Sequence, residues 1–231
     1  GIVRPLLVLG SPPAWWGWAM LSVGAVSGGL GVLMANAQRD PPRLLAFSSV
    51  ENAGIICLGL GLGMLGTAAD APLTALLGYA GALLHVVNHA VFKGLLFLGA
   101  GAVASATGSR DLERFGGLLK RMPVTGAAFL VGAVAICGLP PLNGFVSEFL
   151  VFSGGLRALL GPSASEVLTG TVAVGSLALI GGLAGALFTK AFGTAFLGEP
   201  RSIEAGRVHE PVASMLAPMI VLAAACIVIG V

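Results

Sequence analysis

Charge is scarce in this sequence. Asp, Glu, Lys and Arg make up 10% of its 231 residues, against about 25% in an ordinary soluble domain. That shortage excludes a water-soluble globular domain. The net charge is only +2, so no basic surface calls for a nucleic-acid partner. Cysteine is also rare. Cys57, Cys137 and Cys226 lie far apart in apolar runs and form no CxxC pair. They supply neither an iron–sulfur ligand set nor a thiol redox couple, and they read as small apolar residues. A nucleotide-binding loop and a cofactor motif are missing too. The chain itself is therefore not expected to be an oxidoreductase, and no cofactor is expected on it.

What fills the sequence is apolar residues, at 56%, with 36 glycines and a mean hydropathy of +0.98. Glycine at this density argues against helices in water. In a bilayer it serves close helix packing. A hydrocarbon core needs about 20 apolar residues as helix. Five runs meet that length and a sixth does so with an interruption: Trp15–Ala37, Leu44–Leu65, Leu73–Ala104, Val124–Leu160, Val167–Leu197 and Val212–Gly230. The fold expected is all-α: a polytopic transmembrane helix bundle of about six spans, one of them discontinuous. The third, fourth and fifth runs exceed one span and must tilt, break or project. Gly59 and Gly63 stand at GxxxG spacing and read as a close helix contact.

Lys and Arg cluster after the first, third and fifth spans. Arg39, Arg43, Arg110, Arg114, Lys120, Arg121, Arg201 and Arg207 face only Arg4 and Arg157 on the other side. The richer side is expected to be cytoplasmic. Ser109–Met122 is charged and amphipathic, with Leu112, Phe115 and Leu119 at spacings of three and four. It reads as a short interfacial helix capped by Ser109. The chain begins at Gly1 without Met, and Ile2–Leu9 is too short to span. Val231 ends inside an apolar run. Both ends are expected to be cuts through a longer protein.

Ionisable residues inside the spans carry the functional signal, because a charge there costs several kcal/mol, roughly. Glu51 lies in the second run, Glu148 in the fourth and Lys190 in the fifth, with Asn52 and Asn88 adding uncharged polarity. His85, His89 and Lys93 recur every four residues and form a stripe on one helix face. Histidine titrates near neutrality, and burial disfavours the charged form of any amine. The stripe therefore reads as a proton relay. Zinc on His-x-x-x-His is a rival reading, but no Glu occupies the HExxH position and Lys93 on the same face repels a cation; no metal is expected. A second rival is structural: polar residues that tie helices together.

The fourth run holds Gly138-Leu-Pro140-Pro141-Leu-Asn143-Gly144. Two prolines remove two donors, so the helix is expected to break there. Broken backbone at membrane depth persists only in protein or beside water, and such breaks mark ion sites in transporters. Asn143 or Gly144 is expected to cap the second half, with Glu148 about one turn beyond.

Three motifs together resemble a known family. Arg43-Leu-Leu-Ala-Phe-Ser-Ser-Val-Glu-Asn52, His85-Val-Val-Asn-His-Ala-Val-Phe-Lys-Gly-Leu-Leu-Phe97 and Leu139-Pro-Pro-Leu-Asn-Gly-Phe-Val-Ser-Glu148 resemble the antiporter-like subunits of respiratory complex I and its relatives. The Ser-Ser-Val-Glu-Asn version looks most like the branch of formate hydrogenlyase and related membrane-bound hydrogenases, the hydrogenase-4 component B type. Arg110–Pro123 and Phe188–Gly198 fit as well, so the resemblance covers nearly the whole chain. It implies a proton-translocating subunit of a redox-driven complex in the plasma (inner) membrane of a prokaryote. Its expected partners are lipid, other membrane-arm and redox subunits, and protons, with sodium as an alternative ion.

By position, the resemblance makes His85, His89 and Lys93 the central histidine–lysine helix. Glu148 becomes the group after the broken helix, Glu51 the polar position of its motif, and Lys190 a lysine of the hydrogenase-type members. It also implies that these 231 residues form one fragment covering roughly the second of two inverted repeats. One position departs from the pattern: the family's lysine before Arg43 is replaced by Pro42. A proline suits a first helical turn, and Arg39 and Arg43 remain as nearby charges. An Mrp-type sodium/proton antiporter subunit and a purely structural membrane arm stay open as alternatives.

Overall fold

The structure, a computed structural model, describes residues 12–231; Arg4 of the charge count lies outside them. Seven α-helices carry the described chain: α1 (Ala14–Asn36), α2 (Pro41–Ala68), α3 (Pro72–Thr107), α4 (Pro123–Ile136), α5 (Asn143–Leu159), α6 (Ala164–Phe196) and α7 (Ala213–Gly230). Five of them, α1, α2, α3, α6 and α7, are long and apolar enough to cross a membrane. The fourth expected run is divided into α4 and α5.

Local chemistry sets the helix starts. Asp40 caps α2, its Oδ1 accepting from the Arg43 N–H at 3.2 Å. Pro41 and Pro42 then fill the two positions whose N–H groups would be orphans. Proline at 42 is thus compatible with the start of this span. Ser163 and Glu166 form a reciprocal cap on α6: the Ser163 hydroxyl accepts from Glu166 N at 3.2 Å, and the Glu166 carboxylate accepts from Ser163 N at 3.1 Å.

The helices distribute over two compact units, each with its own apolar core. The first takes the described part of Gly1–Leu30 with Glu51–Val86 and Val146–Ile180. Leu21, Leu58, Leu62, Val151 and Ile180 centre its core. The expected GxxxG contact is present here. A Cβ on Gly59 would meet Ala82 and the Gly78 carbonyl, and one on Gly63 would meet the Tyr79 ring, so α2 and α3 approach backbone to backbone.

The second unit takes Gly31–Val50, Val87–Phe145 and Gly181–Val231. Phe92, Leu96, Phe129, Phe188 and Phe196 lie in its core. At one end of it the connectors after α1, α3 and α6 meet. Arg39 pairs with Glu113 at 3.3 Å, Arg114 with Glu204 at 3.8 Å and Lys120 with Glu199 at 2.6 Å. Lys120 holds the Glu199 carboxyl below the usual carboxylate range through a hydrogen bond and its charge. These exposed pairs stabilise little. Their value is topological: the three cation-rich junctions sit on one side, as the charge count requires.

The Ser109–Met122 connector corrects the expected interfacial helix. It makes two single 3-10 turns, Leu112–Arg114 and Leu118–Lys120, and the cap of the first is Asp111, not Ser109. Gly116 (φ 123°) and Gly117 (φ 64°) separate them. Their N–H groups donate to the carbonyls of Ala195 and Leu197 at the end of α6, at 3.1 and 2.9 Å. Satisfying those orphan carbonyls replaces the intrahelical bonds a continuous helix would need. Leu112, Phe115 and Leu118 are buried, and Leu119 is half-buried.

The break between α4 and α5 also has a different cause from the one expected. Gly138 stands at φ 61°, Gly138 N donates to Ala135 O at 3.1 Å, and Leu139 N donates to Val134 O at 3.3 Å. This is a Schellman stop, which glycine favours. It ends the helix before Pro140, and the two prolines only carry the chain across.

The other end of α4 starts at Pro123, with no side-chain cap from Met122. A distant residue supplies one. The Glu210 carboxylate accepts from Val124 N at 2.6 Å, Thr125 N at 3.2 Å and the Thr125 hydroxyl at 2.7 Å. Glu210→Ala is expected to cost about 0.5–2 kcal/mol, the range for a lost N-cap. The measurement is thermal unfolding in detergent, and an unchanged midpoint would refute the cap.

Candidate functional site

The polar residues of the spans gather in each unit separately. In the first unit, α2 carries Glu51 and Asn52, α3 carries His85, and α5 carries Ser147 and Glu148. Glu51, Asn52, His85 and Ser147 are buried to 1% exposure or less; Glu148 is half-buried. His85 is held on both sides. Its Nδ1 lies 2.9 Å from Ser147 Oγ and its Nε2 lies 3.1 Å from Asn52 Oδ1. Both ring nitrogens are engaged by hydrogen bonds, which leaves neither for a metal. Glu148 occupies the second turn of α5, beyond the first turn, where a helix end acts most strongly.

In the second unit, Lys93 of α3 is 5% exposed. Its Nζ donates to Leu45 O at 2.7 Å and to the Ser48 hydroxyl. The Leu45 carbonyl also accepts from the hydroxyls of Ser48 and Ser49, at 3.2 and 3.1 Å. The α2 backbone near its start thus forms a neutral acceptor cradle for an ammonium. Neighbouring Asn88 and Asn143 interlock, and both are fully buried. Asn88 Nδ2 donates to Asn143 O at 2.7 Å, Asn143 Nδ2 donates to Asn88 Oδ1 at 3.3 Å, and Asn143 Oδ1 accepts from Gly144 N at 3.0 Å. This amide pair ties the start of α5 to α3 and satisfies one of the donors that the break exposes.

His89 and Lys190 sit differently. His89 is half-buried, edge-on to Phe92 with ring centroids 5.6 Å apart, and its Nε2 has no hydrogen-bond partner among the described residues. The buried face of α3 runs through His85, Asn88, Phe92 and Lys93, and at about 100° per residue His89 falls between His85 and Lys93 on that face. Lys190 is exposed and donates to Asn36 O, the last carbonyl of α1, at 3.3 Å. A cation there complements the negative end of α1.

Sequence reasoning missed Leu45 O, Ser48 and Ser147. Ser48 and Ser147 belong to quoted motifs, and each precedes a charged residue closely, but serine inside a span carries no signal of its own. Its usual partner is the carbonyl four residues back.

Residues 1–163 match the family described as NADH:quinone oxidoreductase/Mrp antiporter, TM. The chain belongs to this family. It is 44% identical to "Hydrogenase-4 component B" of Escherichia coli (strain K12), over 99% of this chain and 34% of that protein. It is 41% identical to "Formate hydrogenlyase subunit 3" of the same strain, over 100% of this chain and 38% of that one. The chain therefore spans about a third of the length of these curated relatives. In fold it is similar to a chain of respiratory complex I from Thermus thermophilus with bound NADH. That match has a TM-score of 0.71 and 24% identity, over 94% of this chain and 41% of that one. Family and helices together make this a multi-pass integral membrane protein.

Proposed function

We propose that this chain translocates protons as part of a membrane subunit in a redox-driven complex of the hydrogenase-4 and formate hydrogenlyase type. The observation that carries the reading is Lys93. It is an ammonium buried in an apolar helix, cradled by a backbone carbonyl and a serine hydroxyl. Burial of this kind is expensive and marks ion paths in membrane proteins. Glu51, His85 and Glu148 supply further titratable groups within the spans. Low dielectric couples such groups, so a charge change at one shifts the next. The driving redox chemistry belongs to partner subunits, and the chain works in the plasma membrane of a prokaryote.

The test is reconstitution of the intact complex in vesicles with Lys93→Ala and with Glu148→Gln. Proton uptake is expected to collapse in both while electron transfer continues. Undiminished pumping in both variants would end the assignment. The Mrp branch of the family favours a second reading, sodium/proton exchange; proton movement that requires sodium would support it instead.

A further inference from the structure

His85 is expected to bridge two neighbours in a relay, yet its hydrogen bonds to Asn52 and Ser147 are chemically unequal. Asn52 presents its carboxamide oxygen to Nε2 at 3.1 Å. That atom only accepts hydrogen bonds, so Nε2 carries a hydrogen. It is also far too weak a base to take that hydrogen away. Ser147 faces Nδ1 at 2.9 Å, and a hydroxyl both donates and accepts. With His85 neutral, the Ser147 hydroxyl donates to bare Nδ1. With His85 protonated, Nδ1–H donates to Ser147 Oγ and the hydroxyl hydrogen turns elsewhere. Both states keep both ring nitrogens bonded, and only a hydroxyl rotation separates them. For a ring with no exposure, this matters because an unsatisfied buried nitrogen keeps its full desolvation penalty.

We infer that Ser147 is a proton port of His85, and that Asn52 is the positioning residue that holds the other side. The inference rests on the proton-translocation reading above. In loading, Ser147 Oγ takes a proton from a hydronium ion, which leaves as water. The original Ser147 O–H bond breaks as its hydrogen moves to Nδ1. The net result is one proton on His85 and an unchanged serine, and unloading is the reverse. His85 is then a side-loaded store opening toward the Glu148 segment of α5, not a wire conducting through both nitrogens.

The test uses the intact complex in proteoliposomes. Ser147→Ala is expected to lower proton translocation about tenfold or more, the low side of what a positioned proton-transfer group contributes. Ser147→Thr, which keeps the hydroxyl, should recover to within about threefold. Adding Ser147→Ala to His85→Gln should cause no further loss, because the port acts only through the ring; a packing role would make the two losses multiply. If Ser147→Ala pumps at the parental rate while Lys93→Ala does not, the port is wrong and the proton-translocation reading survives. If neither changes pumping, both fail. Should Ser147→Ala not assemble, ring nitrogen-15 NMR of the parental complex decides. The neutral signal lost in His85→Gln should show hydrogen on Nε2 and a bare Nδ1; the opposite tautomer overturns the port.

Discussion

Lys93→Met is expected to abolish proton translocation, by about a hundredfold or more, without destabilising the protein. The two halves of that outcome have separate causes. Methionine keeps most of the aliphatic stem, so the packing around a 5% exposed side chain changes little. It removes the ammonium that donates to Leu45 O and Ser48. Each lost bond to a charged donor costs roughly 1.5–3 kcal/mol. The Leu45 carbonyl is not stranded, because the hydroxyls of Ser48 and Ser49 still donate to it. Against these losses stands the release of a desolvation penalty of several kcal/mol, roughly, for the buried charge. The balance falls near zero or favours the variant. A residue kept for structure would show the reverse pattern, with stability lost and transport retained. Unfolding midpoints in detergent and proton uptake by reconstituted vesicles, measured on one preparation, separate the two. Parental proton uptake in Lys93→Met would remove Lys93 from the path.

Gly144→Ala carries the largest structural penalty expected in the described chain. Propensity alone predicts a gain, since alanine is better than glycine in a helix by about 1 kcal/mol. Tertiary geometry reverses the sign. The first turn of α5 lies so close to the Ala135 carbonyl, in the last turn of α4, that a Cβ on residue 144 would overlap that oxygen. The Asn143–Asn88 interlock holds the same turn from the other side, so it cannot swing away freely. Overpacking against backbone costs about 1–3 kcal/mol or more, and here the half-helices must separate to relieve it. Gly175→Ala and Gly182→Ala on α6 are the controls, because nothing lies within 4 Å of either added Cβ. They should match or exceed the parental midpoint while Gly144→Ala falls well below it. Equal stability of Gly144→Ala and the controls would mean the close approach is absent.

Much of this molecule is legible in the residue pattern because the bilayer permits few solutions. A span needs a set length of apolar residues and an internally bonded backbone, so α1, α2, α3, α6 and α7 are readable from composition. The interrupted fourth run is readable as well, although its cause is misread. Pro140 and Pro141 are the obvious breakers, yet Gly138 has already closed α4. The Ser109–Met122 connector is misread for a related reason. Its apolar spacing fits a helix, but Gly116 and Gly117 bond to the end of α6, and no local pattern foretells a partner about 80 residues away in sequence.

The site divides along the same line. Sequence by itself determined that Glu51, His85, Lys93 and Glu148 are ionisable groups inside apolar spans, because the cost of a charge in lipid makes each one conspicuous. It also placed the cationic junctions on one common side, since Arg and Lys alone carry that asymmetry. Only the tertiary structure decided what each group faces. Lys93 meets a backbone carbonyl and Ser48, His85 meets Asn52 on one side and Ser147 on the other, half-buried His89 lies edge-on to Phe92, and exposed Lys190 caps the end of α1. Partners of this kind are chosen by packing between helices distant in the chain. Serine, asparagine and a main-chain carbonyl look the same in any sequence until the fold brings a charge beside them.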